Sequence, residues 1–173
     1  NSDWARDLAL SWRKLGDAAR AVNDHAVARA SYWQGIGVVD RLAKRRPDDA
    51  EVARELAGLW ARMGETGLSE NNIDSARDAF KESLALISAW SLRDPHSPFW
   101  ARESAVAHDR CGDVAMRTGD AAGAVQNYAR ARDIRTTFAR SRSASAPARS
   151  IRNISRRMPG TCPSTGTCNR SGP

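Results

Sequence analysis

Long apolar runs, cysteine and lysine are all scarce in this chain of 173 residues. No apolar segment approaches the roughly 18 residues that a membrane-spanning helix needs. Cysteine occurs only as Cys111, Cys162 and Cys168, and an odd number this small does not form a disulfide framework. These absences predict a protein of the reducing cytoplasm that does not cross a membrane. Because the chain starts at Asn1 without an initiator methionine, we expect that an upstream region has been removed, and the lack of a signal-like segment is then weak evidence about the compartment.

Patterns typical of catalytic and metal sites are also missing. The three histidines, His25, His96 and His108, do not form a His-Glu-x-x-His motif, and no glycine-rich phosphate loop occurs. Cys162 and Cys168 stand six residues apart with no histidine nearby, which argues against a zinc site. We therefore expect no enzymatic active site, no cofactor and no metal within these residues.

Positive charge is unevenly distributed. Residues 1–140 carry 21 basic and 20 acidic side chains, a net charge of +1, whereas residues 141–173 carry six arginines and no acid. The net charge of +7 is therefore mainly a property of the tail. Binding of nucleic acid or of an acidic surface depends on this tail alone. Arginine supplies 24 of the 27 basic residues and alanine is abundant, which indicates a bacterial genome rich in G and C.

The chain repeats itself with a period of 48 residues and without gaps. We call three residues that stand 48 apart a column. Chemically similar residues fill many columns: Gly16, Gly64 and Gly112; Ala28, Ala76 and Ala124; Tyr32, Phe80 and Tyr128; Asp17, Glu65 and Asp113. This agreement predicts three tandem units, approximately residues 1–48, 49–96 and 97–140.

Each unit contains two helical patterns separated by a short break. Apolar residues recur at spacings of three and four, as in Trp4, Leu8, Trp12, Leu15 and Ala19, and no segment alternates with the period of a strand. Asn, Asp and Gly at the breaks favour a helix end followed by a new N-cap. The pattern predicts helices near 3–22, 25–45, 49–66, 73–93, 98–118 and 121–140. Trp4, Trp12, Trp60 and Trp100 lie in columns that predict a buried core.

These residues resemble the tetratricopeptide repeat (TPR) family. The family has an aromatic residue, Leu-Gly, and then small and aromatic residues at fixed offsets. The first unit matches with Trp12, Leu15, Gly16, Ala19, Ala28, Tyr32 and Gly35. The period of 48 exceeds the usual 34, so the resemblance is to a long-helix variant that is found in large bacterial multidomain proteins.

The resemblance implies an all-α fold, an α-solenoid of three antiparallel helix hairpins in a right-handed superhelix. It also implies a protein-interaction scaffold or regulatory module that binds a peptide or protein partner on its concave face. Arginines there would clamp an acidic or C-terminal peptide. The candidate residues are Arg13, Asp17, Arg20, Arg62, Glu65, Asp109, Arg110, Asp113 and Arg117. The alternative for these residues is that their charges pair with each other.

Two further roles remain open at the level of sequence. The tail of residues 141–173 can bind nucleic acid or an acidic surface, and the array can act as a structural spacer or self-association module. Ile151, Ile154 and Met158 have helical spacing and predict a short degenerate helix near 148–157 that caps the last hairpin. The identity of the partner and of any fused effector domain does not follow from the sequence.

Overall fold

Six helices, joined by short turns, form the described part of the chain. The computed structural model describes residues 2–145, with the side chains of residues 3–141. The helices are α1 (Ser2–Ala21), α2 (His25–Arg45), α3 (Ala50–Ser69), α4 (Ile73–Arg93), α5 (Pro98–Arg117) and α6 (Ala121–Ser145). Within residues 2–145 no strand occurs, so the predicted all-α class is confirmed. The tail and its predicted capping helix near 148–157 lie outside the described residues.

The breaks inside the three units have the same geometry. Asn23, Asn71 and Gly119 adopt positive φ angles of 59°, 57° and 77°, the left-handed conformation that ends a helix and that Gly and Asn tolerate best. The next residue is the N-cap: Asp24 accepts a hydrogen bond from the amide of Val27, and Asn72 from that of Ser75, each at 3.1 Å. The turn residues that repeat in the sequence therefore fix where α2, α4 and α6 begin.

Two helices extend beyond the predicted ends. α3 continues to Ser69 and α6 continues to Ser145. Gly67 remains helical because its missing side chain lets α3 approach α4, where an added Cβ would stand 3.0 Å from the backbone nitrogen of Ala76. α6 passes the expected unit boundary at residue 140 because no glycine or proline occurs between that residue and Pro147.

Each helix packs mainly against the helix before it and the helix after it in the sequence. Where α1 meets α2, α3 meets α4 and α5 meets α6, a glycine faces an aromatic ring. A Cβ added to Gly64 would lie 2.5 Å from a ring carbon of Phe80, and one added to Gly112 would lie 2.7 Å from Tyr128. Gly16 faces Tyr32 in the same way. Only glycine permits this close helix contact.

The core runs along the chain in clusters rather than around a single centre. Tyr32 and Leu59 belong to the first cluster, Ile87 and Trp100 to the second, and Phe80 to a third. The expectation for Trp4 was wrong, because this side chain is 76% exposed, whereas Trp100 in the same column is 4% exposed. Trp100 is covered by the preceding helix α4, and within the described residues no helix precedes α1.

Candidate functional site

Three helices, α1, α3 and α5, direct charged side chains at each other. Eight of the nine candidate residues, all except Arg117, make an ion pair or hydrogen bond with a residue of another helix. We call this surface the α1–α3–α5 face, and define it by its ion-pairing residues Arg13, Asp17, Arg20, Glu55, Arg62, Glu65 and Arg110. These side chains are about one-third exposed, so water screens their charges only in part.

Asp17 joins α1 to α2 and α3. Its Oδ1 accepts a hydrogen bond from Arg62 Nε at 2.8 Å and another from the Tyr32 hydroxyl at 2.8 Å. Arg62 also donates from Nη1 to the carbonyl oxygen of Gly58 at 3.3 Å. Burial, with the hydrogen bond to Asp17 as a further cause, raises the pKa of Tyr32 to about 12. The Tyr32 phenol therefore remains a hydrogen-bond donor to Asp17 throughout the physiological pH range.

Glu65 joins all three helices of the face. Its Oε2 accepts from Arg20 Nη1 of α1 at 3.0 Å, and its Oε1 accepts from Arg110 Nη2 of α5 at 2.6 Å. Arg13 of α1 lies with its Nε 2.9 Å from Glu55 Oε1 of α3. We call the contacts Asp17–Arg62, Arg20–Glu65 and Glu65–Arg110 the ion-pair row. The charges of neighbouring units thus pair with each other, as the alternative in the sequence analysis stated.

The structure places the remaining candidates apart from this row. Asp109 pairs with Arg135 of α6, whose Nη1 lies 3.3 Å from Oδ1. Asp113 accepts a hydrogen bond from the Tyr128 hydroxyl at 2.7 Å, which is the main cause of the raised pKa of that phenol. Arg117 is exposed at the end of α5 and makes no ion pair with another described residue. All three lie on the last unit, and none of them is among the residues that line a pocket between α3, α4 and α5.

A pocket of about 290 Å³ opens between α3, α4 and α5. Four of the candidates, Arg20, Arg62, Glu65 and Arg110, line it, together with Arg54 and Glu103. Its apolar side is built from Phe99, the buried Trp100 and Ile87, and the guanidinium carbon of Arg54 lies 3.9 Å from the centre of the Phe99 ring. Gly58 and two alanines leave the space open, because larger side chains at these positions would fill it.

The sequence analysis did not select several of these residues. Arg54 repeats as Arg6, Arg54 and Arg102, and this column was a usable signal for an exposed arginine beside the face. Glu55 follows it directly and pairs with Arg13. Phe99 has no aromatic counterpart in its column, which holds Asp3 and Glu51, so periodicity gave no reason to choose it.

The described residues contain no group of three or more His, Cys, Asp and Glu side chains that is arranged to hold a metal ion. Within the same part of the chain, none of the helices combines the length and the apolar character that crossing a bilayer requires. Comparisons of the sequence with protein-family models and with curated proteins gave no match.

Proposed function

We propose that the chain is a TPR-like interaction module: an α-solenoid of three antiparallel helix hairpins in a right-handed superhelix, acting in the bacterial cytoplasm as part of a larger protein. The recurrence of the same contacts every 48 residues supports this arrangement. The glycine–aromatic contact occurs in all three units, and packing follows the order of the helices along the chain. Such nearest-neighbour packing is the general property of solenoid proteins.

The partner in this proposal is a protein or peptide segment that docks on the α1–α3–α5 face, with one acidic side chain or C-terminal carboxylate in the pocket. The carrying observation is the group of four arginines, Arg20, Arg54, Arg62 and Arg110, around an apolar side made by Phe99 and Trp100. Each guanidinium has five N–H donors, and the ion pairs use only part of them. Arg20 and Arg110 each donate to Glu65 through a single nitrogen, so donors remain for a second carboxylate.

In this proposal the ion pairs within the α1–α3–α5 face also favour peptide binding. Glu65 holds Arg20 through one carboxylate oxygen and Arg110 through the other, so their positions are set before a ligand arrives. A preorganised arginine loses less side-chain entropy on binding than a free one. The neighbouring aromatic rings would bury an apolar side chain of the ligand and supply most of its affinity.

Gly58→Leu tests the pocket without removing any charge. A Cβ at this position would meet only Arg62 Nη1 at 3.5 Å, which is ordinary contact, and the larger side chain would extend into the pocket. Replacing a glycine inside a helix stabilises it by roughly 0.5–1 kcal/mol, so the variant should remain folded. We expect it to lose binding to acidic peptides in a library screen that compares acidic, neutral and basic sequences.

Gly37→Leu is the matched control, because an added Cβ on this α2 residue would have no heavy atom within 4 Å. It should bind the same peptides as the unaltered chain. If Gly58→Leu binds as well as Gly37→Leu, the pocket is not the binding site. If no class of peptide binds the unaltered chain, the proposal that this face recognises an acidic segment is wrong.

The second candidate function belongs to the tail. Its six arginines and absence of acids favour binding to RNA or to another polyanion. Such binding should weaken steeply as the salt concentration rises and should disappear when residues 141–173 are removed. Measuring retention of an RNA oligonucleotide by the complete and the shortened chain separates this function from peptide recognition, which does not require the tail.

A further inference from the structure

The first helix exposes a face that later helices bury. Trp4, Leu8 and Leu15 of α1 are 76%, 48% and 48% exposed. The residues in the same columns of α3 are Val52, Leu56 and Met63, which are all buried in the core that α3 shares with α2. α1 therefore presents an apolar surface of the kind that, elsewhere in the molecule, receives the second helix of a preceding unit.

Inside the molecule, an acid of one unit binds an arginine that stands 45 residues later in the next unit. Asp17 pairs with Arg62 at 2.8 Å, and Glu65 pairs with Arg110 at 2.6 Å. In the last and the first described units the same columns hold Asp113, which is exposed, and Lys14, which is exposed and has no ion pair with a described residue. These end groups carry the opposite charges that the internal contact uses.

The aromatic contact follows the same rule. Trp90 of α4 stacks on Trp100 of α5, with ring centroids 5.6 Å apart and planes inclined by 19°. In the first interface the same columns hold Leu42 and Val52, which share one core cluster. In the first and the last described helices these columns hold the exposed Trp4 of α1 and Phe138 of α6.

A third pair of columns is charged between the first two units and apolar in the outermost described units. Arg29 of α2 and Glu70, just after α3, form an ion pair at 3.0 Å between the first two units. The corresponding end residues are Val125 and Val22, which are 69% and 75% exposed. An exposed valine contributes no hydrophobic stabilisation. If the two valines faced each other, both side chains would be removed from water, which is favourable.

We propose that a second copy of this chain stacks on the first, head to tail, with α1 of one copy on α5 and α6 of the other. Lys14 of one copy would then pair with Asp113 of its neighbour, Trp4 with Phe138, and Val22 with Val125. A contact between two different surfaces is heterologous, so it continues from copy to copy unless a ring closes. The contact between two copies would thus use the same columns as the contact between neighbouring units of one copy.

Charged residues on α6 should make the contact between copies weaker than the contacts between units. Arg132 and Arg135 stand in the columns where α2 has Ile36 and Val39, and they pair with Asp133 and Asp109. In the stacked pair, Asp7 of the second copy would lie opposite Asp109. Arg135 supplies the positive charge between these two carboxylates. Arginine stems cover apolar surface less completely than isoleucine does. Association should therefore be reversible and depend on concentration.

Sedimentation velocity of the full chain over a range of concentrations tests the proposal. We expect a series of masses that grows with concentration beyond the dimer. Lys14→Asp alone and Asp113→Lys alone should each weaken association by about tenfold or more, because each places like charges opposite each other. The double variant Lys14→Asp/Asp113→Lys restores opposite charges between copies and should associate as the unaltered chain does.

Lys81→Asp, on the exposed surface of α4, is the control for a change of charge alone and should associate normally. Circular dichroism establishes that each variant is folded. A chain that remains monomeric at every concentration overturns the proposal and leaves the α1 face to another partner or to residues 146–173. Association that neither single variant weakens, or that the double variant fails to restore, also overturns it, because another surface is then responsible.

Discussion

At the scale of single residues, the aromatic column and the acidic column depend on each other. Where the aromatic residue is tyrosine, the acid is aspartate, and the hydroxyl donates to it: Tyr32 to Asp17 and Tyr128 to Asp113. The middle unit has Phe80, which cannot donate, and its acid is the longer Glu65. That carboxylate is satisfied by two arginines instead. The choice of residue in one column thus decides which partners the other column needs.

Tyr32→Phe should reduce the loss of stability at high pH. The pKa of Tyr32 is about 12 in the folded chain, against 10.0 for an ordinary tyrosine. Between about pH 10 and pH 12 the unfolded chain therefore releases this proton while the folded chain keeps it, and the free energy of unfolding falls as pH rises. Phenylalanine removes this contribution. Urea unfolding at neutral pH and across this interval measures the difference.

At neutral pH the same variant should lose only about 1 kcal/mol, the typical net value of one hydrogen bond. Asp17 still accepts from Arg62, and Phe80 already occupies the equivalent position of the second unit. Tyr128→Phe is the comparison variant: the pKa of that phenol is also raised, mainly by its hydrogen bond to Asp113, but the ring is more than one-third exposed, so its removal should reduce the alkaline decline less than Tyr32→Phe does. An alkaline decline that is unchanged in Tyr32→Phe would contradict the prediction.

At the scale of helices, glycine determines how closely two of them can lie. Gly16, Gly64 and Gly112 each face an aromatic ring of the next helix, and an added Cβ would stand closer to that ring than side chains normally approach. Gly37 of α2 differs, because an added Cβ there would have open space around it. The same amino acid therefore serves packing at one helical position and only lowers helix stability at another.

Gly64→Ala and Gly37→Ala should change stability in opposite directions. The new Cβ at position 64 would lie 2.5 Å from the Phe80 ring, which is 1% exposed and cannot move aside, so overpacking should cost about 1–3 kcal/mol. At position 37 alanine should stabilise by about 0.5–1 kcal/mol. Thermal and urea unfolding measure both. Equal effects at the two positions would show that the close crossing of α3 and α4 does not limit stability.

At the scale of the whole molecule, stability comes from contacts between neighbouring helices along the chain. The core clusters follow one another, and the ion-pair row connects α1, α3 and α5 across the units. Half-buried pairs of this kind contribute modestly, because the desolvation of both charges offsets much of their attraction. The row orients its arginines more than it stabilises the fold.

A double-mutant cycle on Glu65 and Arg110 tests this division of roles. Glu65→Gln, Arg110→Gln and the double variant should give a coupling energy of up to about 1 kcal/mol in the free energy of unfolding. The coupling should decrease as salt is added, because both side chains remain about 30% exposed and mobile ions reach them. A coupling of several kcal/mol that salt does not change would instead assign the row a main part in stability.

Much of the secondary structure follows from the sequence alone. α2 and α4 have the predicted bounds, α1 is displaced by one residue at both ends, and α5 ends one residue earlier than predicted. The reason is local: Asn23 and Asn71 end helices, Asp24 and Asn72 cap the next ones, and these effects act within a few residues. The ends of α3 and α6 were predicted less well, because a tertiary contact stabilises helical Gly67 and no local signal stops α6 at residue 140.

The 48-residue period, the helical class and the glycine columns were determined by the sequence, since each depends on spacing within one helix or one unit. Only the tertiary structure decided which charges pair. Asp17 reaches Arg62 and Glu65 reaches Arg110 because of how far one unit is displaced from the next, and that displacement is set by packing between units. The exposure of Trp4 was also decided by the tertiary structure. Its column predicts a core position, but burial also requires a neighbouring helix to cover it.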